Sequence, residues 1–460
     1  IAKDELGIAI DTNQFFDIDD FVKAYAESGT VRGHMPGHKG NNCYKSKAAG
    51  SEISAVFPYD ITEIKGADAL FEADGIIAES ERNAAKLFGT YATFYSAGGS
   101  TLCIQSMLAV CAKQGDKIIA ARNSHKALHS ACILLGLSPV WIYPEFGDGS
   151  AVSGKITAES VKRLLGENPD AVCVYITSPD YLGAVSDVKA IAEAAHSFGK
   201  PLIVDNAHGA HFAFLEENIH PIALGADLCC DSAHKTLPVL TGGAYVHVSS
   251  EKYAAKIKEA MALFGSSSPS YLILQSLDLC NKYLAEDFRN ELSQTVKRIE
   301  KLKKYVSGFV TVTESEPLKL TIYALPCGMT GRELADRLRE SGIEPEYADE
   351  THVMLMFSPQ NTESDFECVK NTLCNMIMPR IRLMPPSFSI SPLKKAMEMR
   401  AAFFSETETV KTEDALGRIC ARTETICPPC VPAAACGEVF DENAIKILKM
   451  YSISEVNVVK

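Results

Sequence analysis

Between residues 92 and 248 short apolar runs alternate with longer amphipathic segments, and this alternation limits the chain to few architectures. "ATFYSA" precedes "STLCIQSMLAVCAKQG", "DKIIAA" precedes "NSHKALHSACILLG", and "PVWIYP" precedes "TAESVKRLLGEN". "AVCVYITSP" then leads to "DVKAIAEAAHSFG", and "PLIVDNAHG" to "ADLCCDSAHK" and "GGAYVHVS". Strands that are apolar throughout are buried on both faces, so the pattern predicts an α/β domain with a mostly parallel sheet covered by helices. Ahead of it, "GADALFEADGIIAESERNAAKLFG" is expected to be a helix ending at Gly89. From about residue 285 the pattern changes to a long charged helix, "RNELSQTVKRIEKLKKYVSG", followed by short strands and helices, as in a smaller α+β unit. The expected division is an N-terminal arm (1–65), a large α/β domain (66–285) and a C-terminal α+β domain (286–460).

Charge and composition narrow the function. The formal net charge of −13 disfavours nucleic acid or an anionic membrane as main partner, because both reward clustered Lys and Arg. No apolar run reaches membrane-span length and no secretory leader is seen, so a cytoplasmic location is expected. Of the 15 cysteines, many fall inside helix- or strand-like segments such as "SMLAVCAK" and "DAVCVYI", so buried, reduced thiols and few or no disulfides are expected.

Three pieces carry chemistry together. "SAGGSTLC" follows a strand and opens a helix; Ser100 and Thr101 offer hydroxyls and the helix start offers N–H groups to a phosphate, although the same residues also make an ordinary capped turn. "PLIVDNAHGAH" ends an apolar strand in Asp205, where ligands of open α/β sheets sit; a capping role is equally open to that residue. His208 and His211 follow, without a further ligand set spaced for a metal. "DSAHKTLPVLTGGA" places Lys235 among small, hydroxyl-bearing and apolar neighbours, with Ser232 and His234 as further phosphate donors. A lysine in a partly dry pocket forms Schiff bases readily. A lysine for the aldehyde, an acid for the pyridine nitrogen and a helix start for the phosphate are what pyridoxal phosphate needs. His125, after the next strand, is placed to cover its ring.

"SAHKTLPVLTGGA" resembles the cofactor-lysine signature of the Orn/Lys/Arg decarboxylases, bacterial enzymes of the aminotransferase-like fold type I. "MPGHKG" (35–40), "DITEIKGADALFEADGII", "GGSTLCIQ", "RNSHKALHSA", "DNAHGAHF", "SSSPSYLILQSLD" (266–278) and "GRICARTETICPPCVPAAACGE" match that family in order. The resemblance implies pyridoxal phosphate-dependent decarboxylation of arginine, lysine or ornithine to an amine that enters polyamine biosynthesis. It implies that Lys235 carries the cofactor, Asp205 pairs with its ring nitrogen and His125 stacks on the ring. Ser100, Thr101, Ser232 and His234 would bind phosphate, His208 would lie close to the ring, and Lys235, His234 or His208 would return a proton to Cα. Ser268 would come from the other subunit of a homodimer or dimer-based oligomer with shared sites. Glu438, Glu63 and Asp60 are candidates for the substrate's distal cation.

The sequence departs from the family pattern at Asn206, where short members have Glu, and in "CPPCVP", where Tyr-Pro-Pro-Gly-Ile-Pro is expected. Cys427 and Cys430 form a C-x-x-C that lacks the second pair of a zinc site and the setting of a redox site. Other fold type I enzymes (aminotransferases, aldolases) share the lysine, the acid and the phosphate loop but not the Pro-Gly-His-Lys-Gly or the C-terminal proline turn. A non-catalytic regulatory homologue is the remaining alternative.

Overall fold

A computed structural model describes residues 17–41, 44, 51–146, 153–376, 383–385, 392–426 and 431–460. The C-x-x-C of Cys427 and Cys430 and most of the "MPRIRLMPPSFSISP" connection lie outside the described residues.

A seven-stranded sheet forms from β1 (Ala92–Ser96), β2 (Lys117–Ala121), β3 (Ser138–Ile142), β4 (Val174–Thr177), β5 (Leu202–Asp205), β6 (Leu228–Asp231) and β7 (Ala244–Val248). Their order is β1-β7-β6-β5-β4-β2-β3, and β7 alone runs against its neighbours. Successive residues of each strand enter different cores. Ile118, Ala120 and Ile203 pack with the helices Gly99–Cys111, Lys126–Leu135 and Glu251–Phe264. Ile119, Ala121 and Val204 pack with Ala158–Glu167 and Val188–Ser197. This two-sided burial is why the strands show no polar alternation. The carboxyl ends of β4, β5 and β6 converge at one edge, and register pairs Thr177 with Asp205 and Asp205 with Cys230.

The segment 66–89 does not form one helix. Its regular part is Ile76–Phe88, because the Asp68 carboxylate accepts from the backbone N–H groups of Gly75, Ile77 and Ala78 and fixes the start there. Gly89, at φ 67°, ends it.

The 19-residue helix Phe288–Val306 leads to an antiparallel four-stranded sheet (Thr311–Thr313, Lys319–Tyr323, His352–Met356, Tyr347–Ala348) with the helices Gly331–Glu340 and Glu363–Asn375. The C-terminal part then returns to the large sheet's helices: Arg400 Nη1 donates to Ile133 O at 3.0 Å. The described cysteines include buried thiols at 103, 132, 173, 229, 230, 280, 327, 420 and 436, all free. Among the described residues no helix is long and apolar enough to cross a membrane.

Candidate active site

A cavity of about 140 Å³ opens at the carboxyl edge of the sheet, lined by Ser100, Thr101, Ile104, Asn123, His125, Thr177, Tyr181, Asp205, Ala207, His208, Ser232 and Lys235. Each comes from a strand end, the turn that follows or the opening turns of the next helix. Gly99 opens its helix at φ 65°, a conformation glycine adopts freely, and its N–H donates to Gly242 O at 2.8 Å. That helix has no side-chain cap, so its first turn can receive an anion. Ser100 Oγ and Ser232 Oγ face each other at 2.8 Å beside it.

Asp205 ends β5 and is buried. Its Oδ1 accepts from the Ala207 N–H (3.2 Å) and Cys230 Sγ (3.7 Å), and its Oδ2 from Tyr175 Oη (3.3 Å). Burial raises its pKa, and the nearby Lys235 charge pulls it back down. Lys235 sits in the short helix Ala233–Thr236 with its Nζ 2.9 Å from His208 Nε2. Burial, reinforced by the Lys235 charge, holds His208 well below the usual histidine range, so the neutral ring accepts a hydrogen bond from the lysine. His125 caps the helix Lys126–Leu135 through Nδ1, which accepts from the Ala127 N–H, and burial then Lys235 lower its pKa to about 4. It is a neutral, flat plate at physiological pH.

Tyr181, which sequence reasoning missed, closes the cavity. Its ring lies edge-on to His208 (centroids 4.9 Å) and 5.8 Å from Lys235 Nζ. The loop that carries it is fastened from both sides. Asp180 accepts from Gly183 N, Ala184 N, Gly154 N and Ser153 Oγ. From the small sheet the fully buried Lys319 donates to Asp180 O (3.2 Å) and Tyr181 O (3.0 Å).

Seven of the residues expected from sequence thus meet in the cavity: Ser100, Thr101, His125, Asp205, His208, Ser232 and Lys235. Others are placed elsewhere. His234 is turned to Gly243 O, 2.9 Å from its Nδ1, and does not line the cavity. Ser268 is exposed and lines a neighbouring groove with Gly98 and Thr101. Glu438 is not a free acid: it is buried in an ion pair with Arg122 (2.8 Å) and accepts from the Ala435 N–H. Asp60 is bound to His38 at 3.1 Å, and Glu63 is exposed and outside the lining. His211 leaves His208 and meets Glu316 at 3.1 Å.

Two buried atoms of the cavity walls have no hydrogen-bond partner, Asn123 Oδ1 and His208 Nδ1. Together with facing hydroxyls at an uncapped helix start, a buried acid and a lysine against a neutral imidazole, they suit a ligand with a phosphate, a basic ring nitrogen and an aldehyde. The residues present therefore fit pyridoxal phosphate.

The model of the Orn/Lys/Arg decarboxylase major domain matches residues 18–325. The chain belongs to the Orn/Lys/Arg decarboxylase family. It is a pyridoxal phosphate-dependent amino acid decarboxylase. An arginine decarboxylase of Bacillus subtilis is 30% identical over 93% of this chain and 91% of its own length. One from Halalkalibacterium halodurans is 30% identical over 93% and 91%. Among solved structures, the lysine decarboxylase LdcF of Francisella novicida superposes with a TM-score of 0.83, covering 98% of this chain and 82% of that one at 14% identity, which shows the shared fold. The decarboxylases thus include relatives that match this chain nearly end to end.

Proposed function

We propose that this decarboxylase acts on arginine, releasing CO₂ and agmatine at the Lys235 cavity. The observation that carries the reaction is the convergence of Lys235, His208 and Asp205 in one cavity. The choice of arginine is supported by the likeness to curated arginine decarboxylases over nine tenths of both chains.

Lys235 would hold the cofactor, Asp205 would keep its ring nitrogen protonated, and Ser100, Thr101, Ser232 and the helix start would hold its phosphate. When bound, the cofactor supplies an electron sink for the electrons left at Cα as CO₂ departs. The chain's own residues do the rest. His125 covers one side of the cavity as a neutral ring. Ile104, Ala207 and Tyr181 exclude water, which strengthens the electrostatic contacts inside. Lys235, freed when the substrate amine takes its place, shares a proton with His208 at 2.9 Å and returns it to Cα.

The working form in this reading is a cytoplasmic homodimer or dimer-based oligomer, with Ser268 reaching the other subunit's phosphate site and the amine entering polyamine biosynthesis. Incubation with pyridoxal phosphate and equal arginine, lysine and ornithine, followed by mass spectrometry, tests the substrate. Agmatine should dominate. Cadaverine or putrescine as the main product would move the assignment to lysine or ornithine.

A further inference from the structure

One segment of the small unit, residues 315–321, reaches both loops that deliver ring side chains to the cavity. On the loop of Tyr181, Glu316 N donates to Gly183 O at 2.8 Å and Thr321 Oγ1 to Leu182 O at 2.8 Å. Lys319 Nζ donates to the two carbonyls before them, Asp180 O at 3.2 Å and Tyr181 O at 3.0 Å. On the loop of His208, His211 Nε2 lies 3.1 Å from the Glu316 carboxylate, which also accepts from the Leu318 N–H at 2.7 Å. Lys319, Glu316 and His211 are all buried.

A buried ammonium is costly, and an apolar side chain of similar length would fill the same space at less cost. What the ammonium adds is donors: it binds two successive carbonyls and so fixes one conformation of the loop. Burial lowers its pKa to about 8; Glu316 and Asp180 hold it up, Lys235 lowers it further and Glu346 raises it. At neutral pH it is therefore charged. The Tyr181 hydroxyl on that loop donates to Glu346 Oε1 at 2.9 Å, so the small unit holds Tyr181 at its backbone and at its tip. His208 depends on this ring. Its Nε2 lies 2.9 Å from Lys235 Nζ, but its buried Nδ1 has no partner among the described residues, so no second hydrogen bond sets the plane of the imidazole. The edge-on Tyr181 ring, with centroids 4.9 Å apart, sets it instead.

We propose that Lys319 is a positioning residue of this decarboxylase: by clamping Asp180 O and Tyr181 O it holds the Tyr181 ring against His208, and through that ring keeps His208 aligned on Lys235 for the return of the proton to Cα. This rests on reading Lys235 and His208 as the pair that returns the proton. Lys319 does not line the cavity and touches neither of them, so it acts only through Tyr181.

The test compares wild type with Lys319→Met, Tyr181→Ala, the double variant and Thr321→Val, which loosens the same loop at Leu182 and leaves the ammonium in place. Each is reconstituted with pyridoxal phosphate and assayed for CO₂ release from its preferred basic amino acid. Each is also followed without cofactor by hydrogen exchange at the Gly183 and Ala184 amides. Lys319→Met should lower kcat roughly 10- to 100-fold with KM within about threefold, as for a misplaced proton donor and not for lost binding. Exchange at Gly183 and Ala184 should speed up about tenfold or more. Tyr181→Ala should lower kcat to a similar extent, and adding Lys319→Met to it should change kcat less than about threefold, because one route carries both effects. Thr321→Val should keep kcat within about threefold. If Lys319→Met does not fold, Lys319→Gln takes its place under the same criteria. A folded variant with unchanged kcat and exchange, losses that add in full in the double variant, or a loss in Thr321→Val equal to that in Lys319→Met each overturns the role of Lys319. A wild type that releases no CO₂ from arginine, lysine or ornithine overturns the decarboxylation reading instead, while the exchange rates still decide whether Lys319 fixes the loop.

Discussion

Asp205 and Asp231 end adjacent strands, are both buried, and lie on opposite faces of the sheet, since Asp205 pairs in register with Cys230. Their surroundings differ. Asp231 Oδ2 is met by His220 Nε2 and His247 Nε2, each at 3.1 Å, and its Oδ1 accepts from Asn206 Nδ2 at 2.8 Å. Although burial alone would raise it, those histidines hold its pKa well below the ordinary value. These ligand-type atoms lie within 4.8 Å of one another, but hydrogen bonds among the same side chains already use them. Asp205 receives only weak neutral donors and a more distant lysine, and its pKa is raised. The protein supplies two histidine ring nitrogens and an amide as partners to one buried acid and leaves the other with weaker donors. A buried carboxylate without its counter-charge is costly unless something else provides it. A protonated ring nitrogen is what the cofactor brings.

The largest effects should separate the two acids. Asp231→Asn should cost about 2–4 kcal/mol of stability, because it takes the shared hydrogen-bond acceptor from two buried histidines; chemical denaturation measures it. Asp205→Asn should leave the cofactor-free protein within about 1 kcal/mol of wild type and lower kcat by roughly 10²- to 10³-fold. Equal stability losses at both positions would break the comparison.

The pH dependence sharpens it. His125 is neutral when folded down to about pH 4, against 6.5 when unfolded, so the unfolded chain binds more protons between those values. His208, also depressed, works in the same direction. The contribution of His125 to the stability of the cofactor-free protein should be full above pH 6.5 and fall as the pH drops toward about 4, while Glu81, which burial raises to about 7, works in the opposite direction; the thermal midpoint of wild type relative to His125→Phe reads it. Asp231 adds a further loss only below its unfolded value of 3.8, while Asp205, raised, opposes the trend in acid.

The smallest effect concerns Asn206. It faces Asp231, not the cavity, and Gly209 lies so close that an added Cβ would stand 2.0 Å from Asn206 Oδ1. Asn206→Glu places a second carboxylate beside Asp231. It should shift stability by roughly 1–2 kcal/mol and change kcat for arginine less than about tenfold. A larger catalytic change would show that the two faces of the sheet are coupled.

Much of the site was legible because strand ends, glycine turns and helix starts are written locally: Ser100, His125, Asp205, Ser232 and Lys235 each follow a recognisable strand. What was not legible depends on distant partners. Glu438 carries no local sign of its partner, because Arg122, which holds it, lies 316 positions away. Tyr181 sits in a loop with no helical or strand period, and it is placed by Lys319 of the small sheet, 138 positions on. Glu346 reaches Tyr181 across 165 positions. The periodicity predicts a longer helix than Ile76–Phe88 because nothing in it shows that Asp68 caps the helix from outside.

The most direct test of the account is chemical capture of the cofactor. The protein is incubated with pyridoxal phosphate, reduced with borohydride, digested and mapped by mass spectrometry. The account predicts the phosphopyridoxyl mass on the peptide containing Lys235, and its loss in Lys235→Ala together with amine production. Label on another lysine, or amine still formed by Lys235→Ala, would contradict it.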